Sequence, residues 1–260
     1  MISPYENIAG VTFSTLGLQA TVQRLSAWMD DEFSGARWFA CVNPHSVELV
    51  HRTRAFARAI KRADIVTADG TGIVLVSRLN GGNVSERVCG PDIFPLLMEK
   101  LNRERPGTRV FFLGSTEETL QILRKKCEKD FPALEIAGVS SPPYKPSFSP
   151  LEIEMMASAI NQTNSDILWI GLGAPKQEIL TAELVPMVNV RIVGPIGGVF
   201  DFYSGRITLP PVFLQKFGLI WLYRLVQEPR RLWRRNIDAP VFVVRAFLTR
   251  LGLLRYGDGK

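Results

Sequence analysis

Residues 63–92 read ADIVTADGTGIVLVSRLNGGNVSERVCGPD. The stretch opens on a short apolar run, Ile65 to Ala68, with the length and composition of a buried strand. The run stops at Asp69-Gly70-Thr71-Gly72, a carboxylate set on a glycine turn. A helical apolar segment follows, Ile73 to Leu79. A polar loop then carries Gly81, Gly82 and Arg87 and closes at Gly90-Pro91-Asp92 before the next helix. An acid, glycines and an arginine at a strand exit mark the place where α/β proteins put their ligands.

Working outward, the same strand-then-helix rhythm recurs. Helical spacing over Gln19–Met29 precedes a strand at Trp38–Val42, which ends at Asn43-Pro44. Pro44 suits the first turn of a helix. After the opening stretch a helix is expected over about 91–103, then a strand at Arg109–Leu113. Ser115 with Glu118 three residues later predicts a capping box and a helix to about Lys129. A weaker strand spans Leu134–Val139. The proline-rich run 140–150 is a loop, and a helix over 151–160 follows it. Ile167–Ile170 is a strand ending in GLGAP, with Pro175 opening a helix whose first turn holds Lys176, Gln177 and Glu178. Val190–Val193 is another strand, ending in GPIGGVFDFYSG. Residues 1–10 carry no clear signal.

At least five strands separated by helices predict an α/β fold, a Rossmann-like and mostly parallel sheet with helices on both faces. Residues 1–209 are expected to form the α/β domain. Residues 210–260 lose the strand pattern and read as a helical, basic, aromatic appendage broken at Pro229 and Pro240. The chain of 260 residues has a net charge of +6. Residues 210–260 hold ten Lys/Arg against three Asp/Glu, whereas residues 1–209 hold 21 against 22. The basic character therefore belongs to the tail, which points to an anionic partner.

Composition closes off other classes. Cys41, Cys89 and Cys127 are odd in number and widely spaced, which supports neither a disulfide framework nor a zinc site and indicates a reducing compartment. His45 and His51, six apart, do not share a helical face, so a metal pair is not expected. The N-terminus has no secretory pattern. No run approaches the roughly 18 apolar residues of a spanning helix. The expected location is cytoplasmic, on a membrane surface without crossing it.

Three strand exits are glycine-rich: 69–72, 171–175 and 194–198. Such turns let backbone approach a phosphate, with helix N–H groups pointing at it, although tight turns also need glycine for geometry alone. Together with Asp69, Arg87 and Gln177 they favour a nucleotide or nucleotide-sugar site that includes Gly70, Gly72, Gly171, Gly173 and Gly197. Neither GxGxxG nor GxxxxGK[ST] occurs. Asp69 reads as a general base or as an Asx-turn residue. Arg87 reads as a fixed cation facing diphosphate or as a loop charge. Asp201 reads as a second cleft carboxylate or as a turn residue. No Asp-x-Asp pair exists for a divalent metal, so arginine and helix dipoles would carry the diphosphate charge. In the tail, Phe213, Phe217, Ile220 and Arg224 share a helical face, and Arg231, Arg234 and Arg235 recur at helical spacing. That pattern fits a solvated basic helix or an interfacial segment on anionic lipid. Nucleic acid fits less well, since no such module is visible.

The ordered motifs NP (43–44), ADGTG with RLNG and ERVCGPD (68–92), FFLGS (111–115), GLGAPKQE (171–178), VGPIGGVFDFYSG (193–205) and LYRLVQEPRRLWRR (222–235) resemble the WecG/TagA/CpsF glycosyltransferases over nearly the whole chain. The resemblance implies an inverting, metal-independent enzyme of bacterial surface-polysaccharide assembly, without a cofactor. It would move a sugar from a UDP-sugar to a polyprenyl-diphosphate-linked sugar at the inner face of the cytoplasmic membrane. It makes Asp69 the base, Arg87 the diphosphate cation and Gln177 a cleft glutamine, with Asn43, Lys176 and Asp201 among the substrate-binding residues. Arg224, Arg231 and Arg234 match arginines of an appendage that closes over the site. Cys41 departs from the family's frequent threonine. A non-catalytic nucleotide-sugar-binding scaffold is the competing reading, and a homo-oligomer stays open. The sugar, N-acetylmannosamine-type or glucose, is not legible.

Overall fold

The computed structural model describes residues 3–31, 35–208, 223 and 229–254, with the side chains of 229–236 outside the description. Among these residues six strands form one parallel sheet. In chain order they are β3 (Arg37–Val42), β4 (Ile65–Ala68), β5 (Arg109–Gly114), β6 (Glu135–Ser140), β7 (Ile167–Gly171) and β8 (Ile192–Pro195). Their order across the sheet is β4-β3-β8-β7-β5-β6. A separate antiparallel hairpin, β1 (Tyr5–Ile8) and β2 (Val11–Ser14), precedes them.

The sheet is buried on both faces because its central strands are apolar at nearly every position, not alternately, while the edge strand β6 opens on the exposed Glu135. Trp38, Ala40, Val42, Leu168, Ile170 and Val193 turn to one face. There they meet α2 (Pro44–Arg52), α3 (Arg54–Lys61), α4 (Thr71–Leu79), α7 (Pro150–Gln162) and α8 (Lys176–Leu184). Phe39, Phe112, Trp169 and Ile192 turn to the other, against α1 (Leu18–Ala27), α5 (Gly90–Glu104), α6 (Glu117–Asp130) and the short α9 (Val199–Ser204). Helices on both faces follow from two apolar sheet surfaces that must each be covered.

The C-terminal α10 (Pro229–Arg250) joins the first of these layers. Phe242 and Ala246 are buried in its core, and α10 packs on α2 and α4. The helix runs through Pro240, which the sequence had marked as a break. Proline removes one ladder hydrogen bond, but anchors on both sides hold this segment: Asp238 is buried and ion-paired before it, and Phe242 is fully buried after it. The expected face of Phe213, Phe217, Ile220 and Arg224 lies outside the described residues.

Three local expectations differ from what is seen. Ser115 does not cap α6. Gly114 and Ser115 both have positive φ, 116° and 59°, so the chain swings through a left-handed turn and Thr116 becomes the N-cap, accepting from Thr119 N. A true capping box sits instead at Ser149 and Glu152, at the start of α7. The strand expected at Val190–Val193 begins at Ile192, where its pairing with Arg37 of β3 starts. The N-terminal hairpin turns at Ala9-Gly10, both at positive φ, an Ala-Gly pair without the Asn or Asp that usually signals such a turn.

Candidate active site

The loops leaving β3, β4, β7 and β8, four adjacent strands, meet at the carboxyl edge of the sheet and surround a cleft of about 250 Å³. All three glycine-rich exits contribute to its wall, through Gly70 and Gly72, Gly173, and Gly197 and Gly198. Residues more than a hundred positions apart thus become neighbours because parallel strands end on the same edge.

Asp69 follows β4 directly. Its backbone N–H donates to Val42 O at 3.0 Å, which extends the strand pairing and holds the half-buried side chain at the cleft. Gly70 and Gly72 serve packing as well as access. A Cβ on Gly70 would lie 3.2 Å from Pro44 Cδ, and one on Gly72 only 2.9 Å from Pro44 Cγ. The glycine turn therefore rides over the first turn of α2. That turn is capped by Asn43, whose Oδ1 accepts from Ser46 N at 3.0 Å. Asn43 lines the cleft, but its carbonyl oxygen is engaged in holding the helix start.

The loop carrying Arg87 is strapped to β4 by Val88 N–H donating to Ala68 O at 2.9 Å. Arg87 lines the cleft and pairs with Asp92, in the first turn of α5, at 3.1 Å. Cys89 donates to the same Asp92 oxygen. Gln177 and Glu178, both buried, line the cleft from the first turn of α8. The N-termini of α2 and α8 flank the cleft, and each adds partial positive charge there.

Cys41 and Cys89 also line the cleft. Burial, and next the negative charge of Asp69, push both thiols well above their ordinary range. They are neutral groups at physiological pH, not nucleophiles.

Three residues expected at the site are placed elsewhere. Gly171 is interior: its Cβ would lie 2.2 Å from the Phe200 ring. Lys176 turns outward, where its ammonium donates to Lys145 O at 2.7 Å and lies over the Tyr144 and Phe148 rings. Asp201, on α9, pairs with Arg206 at 3.4 Å and is absent from the cleft lining. Arg224 lies outside the described residues. Arg231 and Arg234 fall within α10, with side chains outside the description. Conversely, His45, Glu178 and Ala239 line the cleft although no role there was expected of them. His45 had a signal, since it follows Asn-Pro at a helix start. Ala239 had none, because it arrives from the far end of the chain.

An acid, a guanidinium and two helix N-termini around one cleft, at the carboxyl edge of a parallel sheet, are the features of an α/β protein that handles an anionic ligand. Residues 6–256 match the model of the glycosyl transferase WecG/TagA/CpsF family, and the chain belongs to that family of glycosyltransferases. It is similar to an N-acetylglucosaminyldiphosphoundecaprenol N-acetyl-beta-D-mannosaminyltransferase of Bacillus spizizenii, 30% identical over 226 residues that cover 87% of this chain and 84% of that protein. The protein of the same name from Bacillus subtilis is 25% identical over 239 residues, 92% of this chain and 90% of that one. A third, from Staphylococcus aureus, is 23% identical over 243 residues, 92% and 91% of the two chains.

Proposed function

We propose that the chain transfers an N-acetylmannosaminyl group, with inversion, from its UDP-sugar to an N-acetylglucosamine carried on a polyprenyl diphosphate. The support is the gathering of Asp69, Arg87 and Gln177 on one cleft, together with relatives whose names specify that sugar transfer. The acceptor hydroxyl attacks the anomeric carbon. Its proton goes to Asp69, a bond forms from the acceptor oxygen to that carbon, and the bond to the UDP oxygen breaks with its electron pair leaving on UDP. Arg87 and the N-termini of α2 and α8 offset the charge on the departing diphosphate, the service a divalent metal performs elsewhere. Transfer is accordingly expected to persist in EDTA.

In this reading residues 1–209 are the catalytic unit and 210–260 a membrane-associating appendage. The described part of the appendage fits that role. Val244 and Phe247 are exposed on one face of α10, as are Leu251 just past its end and Leu75 and Leu79 on the neighbouring α4. No helix among the described residues is long and apolar enough to cross a membrane. An apolar face of this kind suits the headgroup boundary of the inner leaflet, where the lipid-linked acceptor resides.

The test is a donor screen against a short-chain polyprenyl-diphosphate N-acetylglucosamine, read by UDP release and mass of the product. Transfer from the UDP form of N-acetylmannosamine, well above that from other UDP-sugars, is expected. UDP release without a disaccharide product, or no turnover with any donor, would reject the proposal.

A further inference from the structure

Gln177 is only 7% exposed, yet its Oε1 accepts no hydrogen bond among the described residues. Its Nε2 donates to Glu178 Oε1 at 2.8 Å. Glu178 is more deeply buried still, 3% exposed. Glu178 Oε1 accepts this bond, which an amide oxygen has no hydrogen to supply, so the nitrogen is the end of the amide that faces Glu178. Turning the nitrogen that way turns the oxygen the other. The amide lies against Gly197, whose added Cβ would stand 3.3 Å from Oε1 and 3.6 Å from Nε2, and both residues line the cleft. A side chain at 197 would crowd this amide and Leu172 O, which stands 3.2 Å from the added Cβ. A buried acceptor left unmade is costly, which makes this oxygen a place for a ligand's hydrogen.

We infer that Glu178 is a positioning residue that locks the polarity of Gln177: by holding Nε2 it fixes Oε1 as an acceptor for an N–H or O–H group of the bound donor. The inference rests on the reading that the cleft takes a UDP-sugar, and it adds a rule for which ligand groups are admitted. A group that only accepts, or a methyl in place of the hydrogen, meets an oxygen that has no way to turn. Three parts of such a donor carry a suitable hydrogen: the uracil N3–H, a sugar hydroxyl and the acetamido N–H.

Two measurements on the full-length chain decide the matter. The first is calorimetric binding of UDP, N3-methyl-UDP, UDP-N-acetylmannosamine and its analogues lacking the acetamido N–H or single hydroxyls. One of these changes is expected to weaken binding to the wild type about 10- to 100-fold, and which one identifies the ligand group. In Glu178→Gln that penalty should fall below about threefold. A glutamine at 178 can donate to Gln177 Oε1, which frees the amide to turn over, whereas a merely structural role would lower all affinities together and keep the discrimination. An undiminished penalty in the variant, or no penalty for any analogue in the wild type, overturns the inference. The second measurement needs neither ligand nor variant: one Gln177 Nε2 proton should exchange slowly by NMR in the unliganded wild type. Fast exchange of both overturns the lock whatever binds. A protected proton with no uridine nucleotide bound overturns the donor reading instead and leaves the lock standing.

Discussion

His45 Nδ1 lies 2.6 Å from Asp238 Oδ2, a contact across 193 residues of sequence. It ties the first turn of α2, which walls the cleft, to the C-terminal helix. The tie is part of a chain of charges. Arg52 reaches Asp238 at 3.0 Å and Glu48 at 3.3 Å, and Arg245 donates to the fully buried Glu48 at 2.6 Å. Three cationic or ionisable partners thus surround two buried carboxylates of α2 and α10. Taking Asp238 away removes this carboxylate from His45 and leaves Arg52 its Glu48 contact.

Asp238→Ala is therefore expected to cost about 1–3 kcal/mol of stability, below the full cost of a buried pair because Arg52 is half-exposed. Urea unfolding followed by circular dichroism checks it. Transfer should fall as well, since Ala239 of the same turn lines the cleft. An unchanged midpoint would mean that the contact does not hold α10 in solution.

Asp69→Asn keeps the shape of the side chain but removes its basicity. Transfer should fall about 10²- to 10⁴-fold, with an unfolding midpoint close to that of the wild type. Substantial residual activity would take the base assignment away from Asp69.

The glycines separate packing from access. Gly171→Ala forces a Cβ to 2.2 Å from the Phe200 ring and should destabilise by about 1–3 kcal/mol through overpacking. Gly173 faces open space, with nothing within 4 Å of an added Cβ. Gly173→Ala should leave stability nearly untouched and raise KM if a substrate approaches the backbone there. Comparing thermal melts of the two variants gives the answer, and similar losses in both would contradict the assignment.

The thiols predict an alkaline limit. Burial pushes Cys127 from an ordinary value of 9.0 up to about 12, and Cys41 and Cys89 are raised by burial and by Asp69. The folded state thus holds protons that the unfolded chain releases near pH 9. The resulting stability is complete below that pH and is lost as pH rises toward the folded values. Unfolding free energy should be flat in this respect between pH 6 and about 8 and decline above about 9, less so in Cys127→Ala. Iodoacetamide should label the native cysteines far more slowly than a free thiol at pH 8.

If the apolar face of α4 and α10 meets lipid, Leu75→Glu with Phe247→Glu should weaken binding to anionic vesicles about tenfold or more. Activity on a water-soluble acceptor should change little. Flotation with liposomes measures the first and UDP release the second. Undiminished flotation would move the contact to another surface.

Much of the architecture was legible because buried parallel strands are short apolar runs that end at glycine or proline. Ile65–Ala68, Arg109–Leu113 and Ile167–Ile170 announce themselves in that way. The capping box at Ser149 and Glu152 was equally available, through Ser-Pro-Leu-Glu before an apolar pattern. What misled was local chemistry overruled by backbone geometry. Ser115 and Glu118 have the spacing of a cap, but the left-handed turn at 114–115 moves the helix start to Thr116. Pro240 reads as a stop because its missing N–H is local, while the packing of Phe242 that holds the helix is not.

For the site, the kinds of residue present could be read along the chain. An acid follows a strand, an arginine sits in the next loop, and a glutamine opens a helix after glycine-rich turns. Such signals survive in sequence because each depends on near neighbours. Which of them meet depends on how the strands and helices assemble. Asp69, Arg87 and Gln177 share a cleft because β4, β3, β8 and β7 end together. Lys176, one residue from Gln177, leaves it because helical rotation turns adjacent side chains about 100° apart. His45 and Asp238 meet because α10 returns to cover α2, a contact set by burial of Phe242 and by charge pairing. No spacing within either segment encodes that meeting, since it depends on surfaces that exist only once the sheet and its helices are assembled.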